Sequence, residues 1–251
     1  MAQHSNFDRR RINGPESSSH PIFEDSEEKK GLIVVRTARK NDEIRPIFLQ
    51  LGLVSQANGS AYIETERTKV AVAVYGPREI KAGLSYTENG RLKVEVKFSP
   101  FSCTRRRAPI RDAESPTLAC QIHQSILPAV RLELFPKSQL DESATAASAA
   151  LADAGIDLLG LAISCTAAIN KSSEGKPELL LDPNGQEADA ARGLVMVTCL
   201  PALGAITNIV QTGLVQPGEC MDVCMKQCED IHFVVAQSLL ESAKARSQKQ
   251  Q

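Results

Sequence analysis

The chain has 251 residues, 42% of them hydrophobic and 24% charged, with a formal net charge of -1. That composition excludes collagen-like, disordered and disulfide-scaffold classes, and no stretch approaches the roughly 18 uninterrupted apolar residues of a membrane-spanning helix. A near-neutral balance also argues against a dedicated DNA binder, which carries a strongly basic face.

The opening, Met1 to Glu16, is polar and holds no apolar run of the kind a secretory signal needs, so an intracellular, reducing compartment is expected. Seven cysteines without a Cys-x-x-Cys pair then read as free thiols behaving as small hydrophobes. Ser17 to Lys30 is serine-rich and acidic with few apolar groups, and residues 1–31 are expected to be a flexible N-terminal segment.

From there the pattern is globular. Arg45 to Leu51 and Ser60 to Glu64 read as strands, with Asn58-Gly59 between them signalling a tight hairpin. Lys69 to Tyr75 is a third strand, stopped by Gly76-Pro77. Arg91 to Phe98 alternates most cleanly, with Leu92, Val94, Val96 and Phe98 on one face and charges on the other. Ser115-Pro116 opens a helix whose apolar positions Leu118, Ile122, Ile126 and Val130 carry it to about Arg131, with a kink at Pro128. Ser143 to Ala154, almost all Ala, Ser and Leu, is a second helix closed by Gly155. Strands follow at Leu158 to Ile169, Leu179 to Leu181, Leu194 to Leu200 and Ala205 to Thr212. A long helix from Gly218 to Ala243 lines up Met221, Cys224, Met225, Cys228, Ile231, Val235 and Leu239, and residues 243–251 form a polar tail expected to fray. The order describes an α+β sandwich of sheets and helices over residues 32–242.

Three groups invite a chemical reading. Cys220, Cys224, Cys228 and His232 recur every fourth residue, but the outer two lie about 18 Å apart along a helix, whereas zinc needs every ligand at about 2 Å. They read as a core stripe, and no metal is expected. His4 and His20 fall in the N-terminal segment and His123 and His232 on helices, so no nucleophile system assembles; no Gly-rich phosphate loop is present either. The basic clusters are Arg9-Arg10-Arg11 and Arg105-Arg106-Arg107. The second lies between the alternating strand and the first helix, where it is either a solvated charge run or a sequence-blind phosphate contact.

Asp8-Arg9-Arg10-Arg11 with Gly14-Pro15-Glu16, Gly59-Ser60-Ala61-Tyr62-Ile63-Glu64, Val74-Tyr75-Gly76-Pro77-Arg78-Glu79, Phe135-Pro136-Lys137-Ser138-Gln139-Leu140 and Ala150-Leu151-Ala152-Asp153-Ala154-Gly155 occur in one order along the chain. Together they resemble the RNase PH-like ring subunits of the eukaryotic RNA exosome, most closely the mRNA-transport-regulator-three type. The resemblance implies an RNase PH-like (ribosomal protein S5 domain 2-like) fold. It implies a noncatalytic structural subunit of a hetero-hexameric ring, threading single-stranded RNA through a central pore for 3′-5′ degradation and processing of rRNA, mRNA and other RNAs. Implied partners are other RNase PH-like subunits, oligonucleotide-binding-fold cap proteins and RNA, with no DNA, membrane or cofactor; the implied locations are nucleus, nucleolus and cytoplasm. Arg105, Arg106 and Arg107 are the candidate RNA-binding residues.

Active relatives of this family carry carboxylates on a strand after the Gln-Leu motif and then a phosphate-holding Asp-Gly-Gly turn. Here Gln139-Leu140-Asp141 runs straight into Glu142-Ser143 and the Ala-rich helix, so one central strand is expected to be missing after Asp141. Either the sequence is a variant form or the sheet closes differently. A phosphorolytic 3′-5′ exoribonuclease is the alternative reading, and a stand-alone RNA-binding module a third.

Overall fold

The computed structural model describes residues 36, 39–79, 88–102, 114–136, 138–142, 146–171, 177–213, 215 and 218–249. All lie in the compact unit Ile33–Gln251; the second unit, Met1–Leu32, holds none of them, so the expected flexible segment 1–31 falls outside the described residues. The first sheet contains β1 (Ile47–Leu51), β2 (Gly59–Thr65), β3 (Thr68–Glu79), β4 (Arg91–Val94) and β5 (Ser138–Glu142), in the spatial order β1-β2-β3-β5-β4. The second contains β6 (Ile163–Lys171), β7 (Pro177–Leu181), β8 (Gly193–Leu200) and β9 (Ala205–Gly213), in the order β7-β6-β8-β9. Four α-helices accompany them among the described residues: α1 (Glu114–Ile126), α2 (Ala147–Asp153), α3 (Gly185–Ala190) and α4 (Gly218–Lys249).

The expectation of a missing central strand is corrected. Ser138 to Glu142 is itself a strand, antiparallel to β3 and parallel to β4, and it fills the slot between them. Leu140, at its centre, is 1% exposed and belongs to the core. The strand is short rather than absent, and α2 then begins at Ala147 instead of Ser143.

Other boundaries move for local reasons. Pro128 does not kink a continuing helix: α1 stops at Ile126, and Leu127–Ala129 and Leu132–Leu134 follow as single 3-10 turns, because a proline ring clashes with the carbonyl four residues back. Leu158 makes only an isolated bridge to Val130, and β6 starts at Ile163. β4 ends at Val94, four residues before its alternation does. The expected frayed tail is helical: α4 runs to Lys249, and Arg246 donates from Nη2 to Asp153 Oδ1.

Asn58-Gly59 is not the tight turn its sequence signals. The two-residue hairpin lies one strand later, at Glu66-Arg67, where Glu66 takes φ +48°. Gly59 instead starts β2 under α2, so close that an added Cβ would stand 2.3 Å from Ala154 N and 2.4 Å from Ala150 O. Asn58 Oδ1 meanwhile accepts from Gly76 N at 3.1 Å. The pair therefore serves packing, with glycine required by proximity to another backbone.

The inner face of the first sheet, Ala61, Val72, Val74 and Leu140, meets the Ala-rich side of α2, on which Ala147, Ala149, Ala150 and Leu151 are buried. α4 covers β6 and β8 with Cys220, Cys224, Cys228 and Val235. Small side chains on α2 are what let helix and sheet approach this closely.

Gly59→Ala is expected to destabilise the fold by about 1–3 kcal/mol, the usual cost of overpacking, because the clash is with backbone. Thermal unfolding checks this against Gly185→Ala, whose new Cβ meets open space and leaves the midpoint unchanged.

Candidate nucleic-acid interface and carboxylate cluster

The side of the first sheet turned away from α2 is set by alternation. Leu49, Leu51, Ile63, Val70 and Val72 go to the core, which leaves Phe48, Gln50, Tyr62, Glu64, Lys69, Ala71, Ala73 and Tyr75 on the other face. Between β3 and β5 the register runs Tyr75↔Asp141 and then Arg78↔Gln139, three steps on one strand against two on the other. That extra residue is a bulge. In a regular strand Tyr75 and Arg78 would point to opposite faces; the bulge brings them to the same one, and the Arg78 guanidinium sits 5.0 Å from the Tyr75 ring centroid. Gly76, at φ +139°, makes this possible, since a Cβ there would lie 2.7 Å from Gln139 O. Asp141, the carboxylate retained from the family motif, is the register partner of Tyr75 and of Lys93.

A second constellation joins the start of the domain to the end of β7. Asp182, in the left-handed region at φ +46°, receives Arg45 Nε at 2.8 Å, Arg45 Nη2 at 2.5 Å and the Arg45 backbone N at 3.0 Å. Glu187 receives Arg36 Nε at 2.9 Å and Nη2 at 2.8 Å, and both side chains of that pair are 3% exposed. Arg39 lies between the two carboxylates, 3.6 Å from each. Burial raises the Asp182 pKa, but the hydrogen bonds from Arg45 outweigh it and hold the carboxyl below the usual carboxylate range. Hydrogen bonds from Arg36 do the same to Glu187 against the opposing pull of burial. Glu187 also completes a capping box with Asn184, the two exchanging 2.8 Å hydrogen bonds between side chain and backbone.

A cleft of about 290 Å³ opens beside Arg45 and Asp182. Its lining is mainly apolar, with Ile44, Ile47, Ile63, Val70, Ile231 and Val235; Thr65, Thr68, Ser148, Ser164 and Thr166 also line it, and its guanidinium, Arg45, is held by Asp182. Among the described residues, no group of three or more His, Cys, Asp or Glu is placed to hold a metal ion, and no helix is long and apolar enough to cross a membrane.

Arg105, Arg106 and Arg107 lie outside the described residues, as do Arg9 to Arg11. The cysteine stripe is where its spacing puts it, with Cys220, Cys224 and Cys228 fully buried, while His232 is only half-buried and stands apart from them. Facing thiols on the sheet complete the seam: Cys165 Sγ donates to Thr166 O at 3.9 Å and Cys228 Sγ to Ile163 O at 3.7 Å, and the neighbouring thiols of Cys224 and Cys199, together with burial, push the Cys165 and Cys228 thiols far up from their ordinary values. Two features escaped the sequence reading. Asn184-x-x-Glu187 carries a readable capping-box signature for α3. The Tyr75–Arg78 pair carries none, because three-residue spacing in a strand points away from contact.

The family model described as 3′ exoribonuclease family, domain 1, RNase PH, matches residues 43–145. The exosome complex component MTR3 of Homo sapiens is 33% identical over 271 aligned positions, covering 95% of this chain and 97% of that protein. The alignment is longer than the chain itself, so the human protein has residues inside it with no counterpart here. The mtr3 component of Schizosaccharomyces pombe is 31% identical, with 93% and 96% covered. The Rrp41 component of Pyrococcus horikoshii is 35% identical, over 73% of this chain and 78% of that one. Among solved structures, rice Rrp46 superposes with a TM-score of 0.68 at 20% identity, covering 80% of this chain and 98% of that one; a chain of the Archaeoglobus fulgidus exosome with RNA bound to the active site gives 0.61 at 18%, covering 77% and 89%. The structural likeness establishes the α+β RNase PH-like fold. Identity across nearly the full length does the rest: the chain belongs to the RNase PH-like family of exosome components, of the MTR3 type.

Proposed function

We propose that this protein is a noncatalytic structural subunit of the RNase PH-like ring of an exosome, where it helps route single-stranded RNA toward 3′-5′ degradation and processing. Its ring neighbours are other RNase PH-like subunits, and oligonucleotide-binding-fold proteins cap the ring. The complex works in nucleus, nucleolus and cytoplasm. Tyr75 with Arg78 is an RNA contact within this subunit, and Arg105, Arg106 and Arg107 supply phosphate contacts.

One observation carries the noncatalytic reading. Phosphorolysis needs a phosphate held beside carboxylates free to act as acid or metal ligand. In the Asp182–Glu187 cluster both carboxylates are committed to Arg45 and Arg36, and the guanidinium that lines the adjoining, mainly apolar cleft is the one Asp182 holds. Their chemistry is structural. The alternative, a phosphorolytic exoribonuclease like those of the wider family, would require a phosphate site beside Asp141 on β5.

The purified chain, given single-stranded RNA and inorganic phosphate, is expected to release no nucleoside diphosphate, while joining a ring of several hundred kilodaltons with its RNase PH-like partners. Phosphate-dependent release lost in Asp141→Ala would make the protein an enzyme. Replacing Arg105, Arg106 and Arg107 with Glu is expected to weaken RNA protection by the ring and flatten its salt dependence without dissociating it.

The structural role of the cluster has its own check. Glu187→Gln leaves Arg36 buried without its counter-charge and is expected to cost about 3–5 kcal/mol, measured by denaturant unfolding at pH 7. Because the folded pKa values of Asp182 and Glu187 are depressed, their contribution is fully present above the normal carboxylate range of about 4 and is lost as pH falls below it. Stability should therefore drop more steeply with acid in the wild type than in Glu187→Gln.

A further inference from the structure

Phe48 is a phenylalanine 55% exposed at the second position of the edge strand β1, and its ring stands 6.4 Å from that of Tyr62, edge to face at 70°. The pair sits on the same outer face as Tyr75 and Arg78. Ala71, the register partner of Tyr62, and Ala73 are the outward residues of β3 between Tyr62 and Tyr75, so no bulky side chain of that strand rises between the two aromatic positions. Four residues along β3 and one strand across separate Tyr62 from Tyr75 by about 14 Å. An extended single strand of nucleic acid covers that span in two nucleotide steps.

The charges around the rings identify the occupant. Glu64, next to Tyr62, is not a free anion: it accepts from the Tyr62 hydroxyl at 3.0 Å and pairs with Lys69 Nζ at 3.0 Å. Arg78 stands at one end of the alanine floor and the Lys69–Glu64 pair at the other; beyond Tyr75, β5 places Asp141 in register with it, and β4 adds Arg91 and Lys93, the latter paired with Glu95 at 2.6 Å. The buried centre of a protein interface is depleted in charge, whereas single-stranded nucleic acid is held by flat rings interleaved with cations. This face has the second composition.

We propose that the Phe48–Tyr62 pair is a base-stacking seat for single-stranded RNA, set two nucleotides from Tyr75 along a floor made by Ala71 and Ala73. The proposal rests on the reading that this subunit contacts RNA, and it extends that contact across the sheet from β3 to the β1 edge. Each ring of the pair offers a stacking surface to any base, so the seat is blind to sequence.

The test uses the whole chain, with fluorescence anisotropy on a labelled twelve-nucleotide oligouridine and a duplex RNA of equal length. Phe48→Ala and Tyr62→Ala are expected to weaken single-strand binding by about fivefold or more, while Tyr62→Phe, which keeps the ring, restores it. Duplex affinity stays unchanged, and 5-iodouridine crosslinks map to β1 or β2. Wild-type affinity in both alanine variants, alongside a loss in Tyr75→Ala, would overturn the seat and leave the RNA-contact reading standing; no loss in any of the three would remove both. Equal weakening on duplex RNA would overturn the stacking argument. Loss of ring incorporation with unchanged RNA affinity of the free chain would make the face a subunit interface instead.

Discussion

The first sheet depends on the pairing of β5 with both of its neighbours. Five residues from Ser138 to Glu142 join β3 to β4, and without them the sheet would divide, exposing the hydrogen-bonding edges of both strands. The same pairing creates the bulge, since Tyr75 and Arg78 share a face only because β3 spends one more residue than β5 over that stretch. Leu140 fixes the strand from the inner side and Gly76 allows Gln139 to approach from the outer course of β3. A minimal strand thus sustains both the core and the surface geometry on which the RNA reading rests.

The buried arginine–carboxylate cluster has a different task. It ties the irregular chain before β1 to the turn after β7, two regions about 140 residues apart in sequence. Arg36 satisfies Glu187 and also donates to the carbonyls of Lys40 and Leu181, so the guanidinium replaces the regular backbone pairing that this entry segment lacks. Such a pair is a positional device: removing one partner is costly although the intact pair adds little.

Legibility in the sequence followed the range of the interactions. Helix and strand identity came from periodicity, so β2, β3, β6, β8, α1 and α4 were readable, as was the stripe of Cys224, Cys228, Ile231 and Val235. Boundaries set by tertiary contact were not. Asn58-Gly59 has the chemistry of a turn, yet its use is decided by the backbone of α2 passing within van der Waals distance. The tail after Ala243 has no apolar pattern, and its helix is helped by Arg246 reaching Asp153, a contact invisible locally. Short β5 was misread because the family motif creates an expectation of length, while the sheet needs only enough residues to span β4. The Tyr75–Arg78 pair was illegible because a bulge depends on its partner strand.

The seam beneath α4 gives the molecule an internal gauge of its own breathing. Cys165, Cys199, Cys220, Cys224 and Cys228 are all buried between that helix and β6 or β8, whereas Cys120 on α1 is exposed. An alkylating reagent can reach these five only when the helix lifts, and it reaches Cys120 at any time. Their labelling rates, taken as a ratio, convert the opening of one helix into a free energy in the unmodified chain, and docking of a neighbouring subunit against α4 would register as slower labelling of the seam alone.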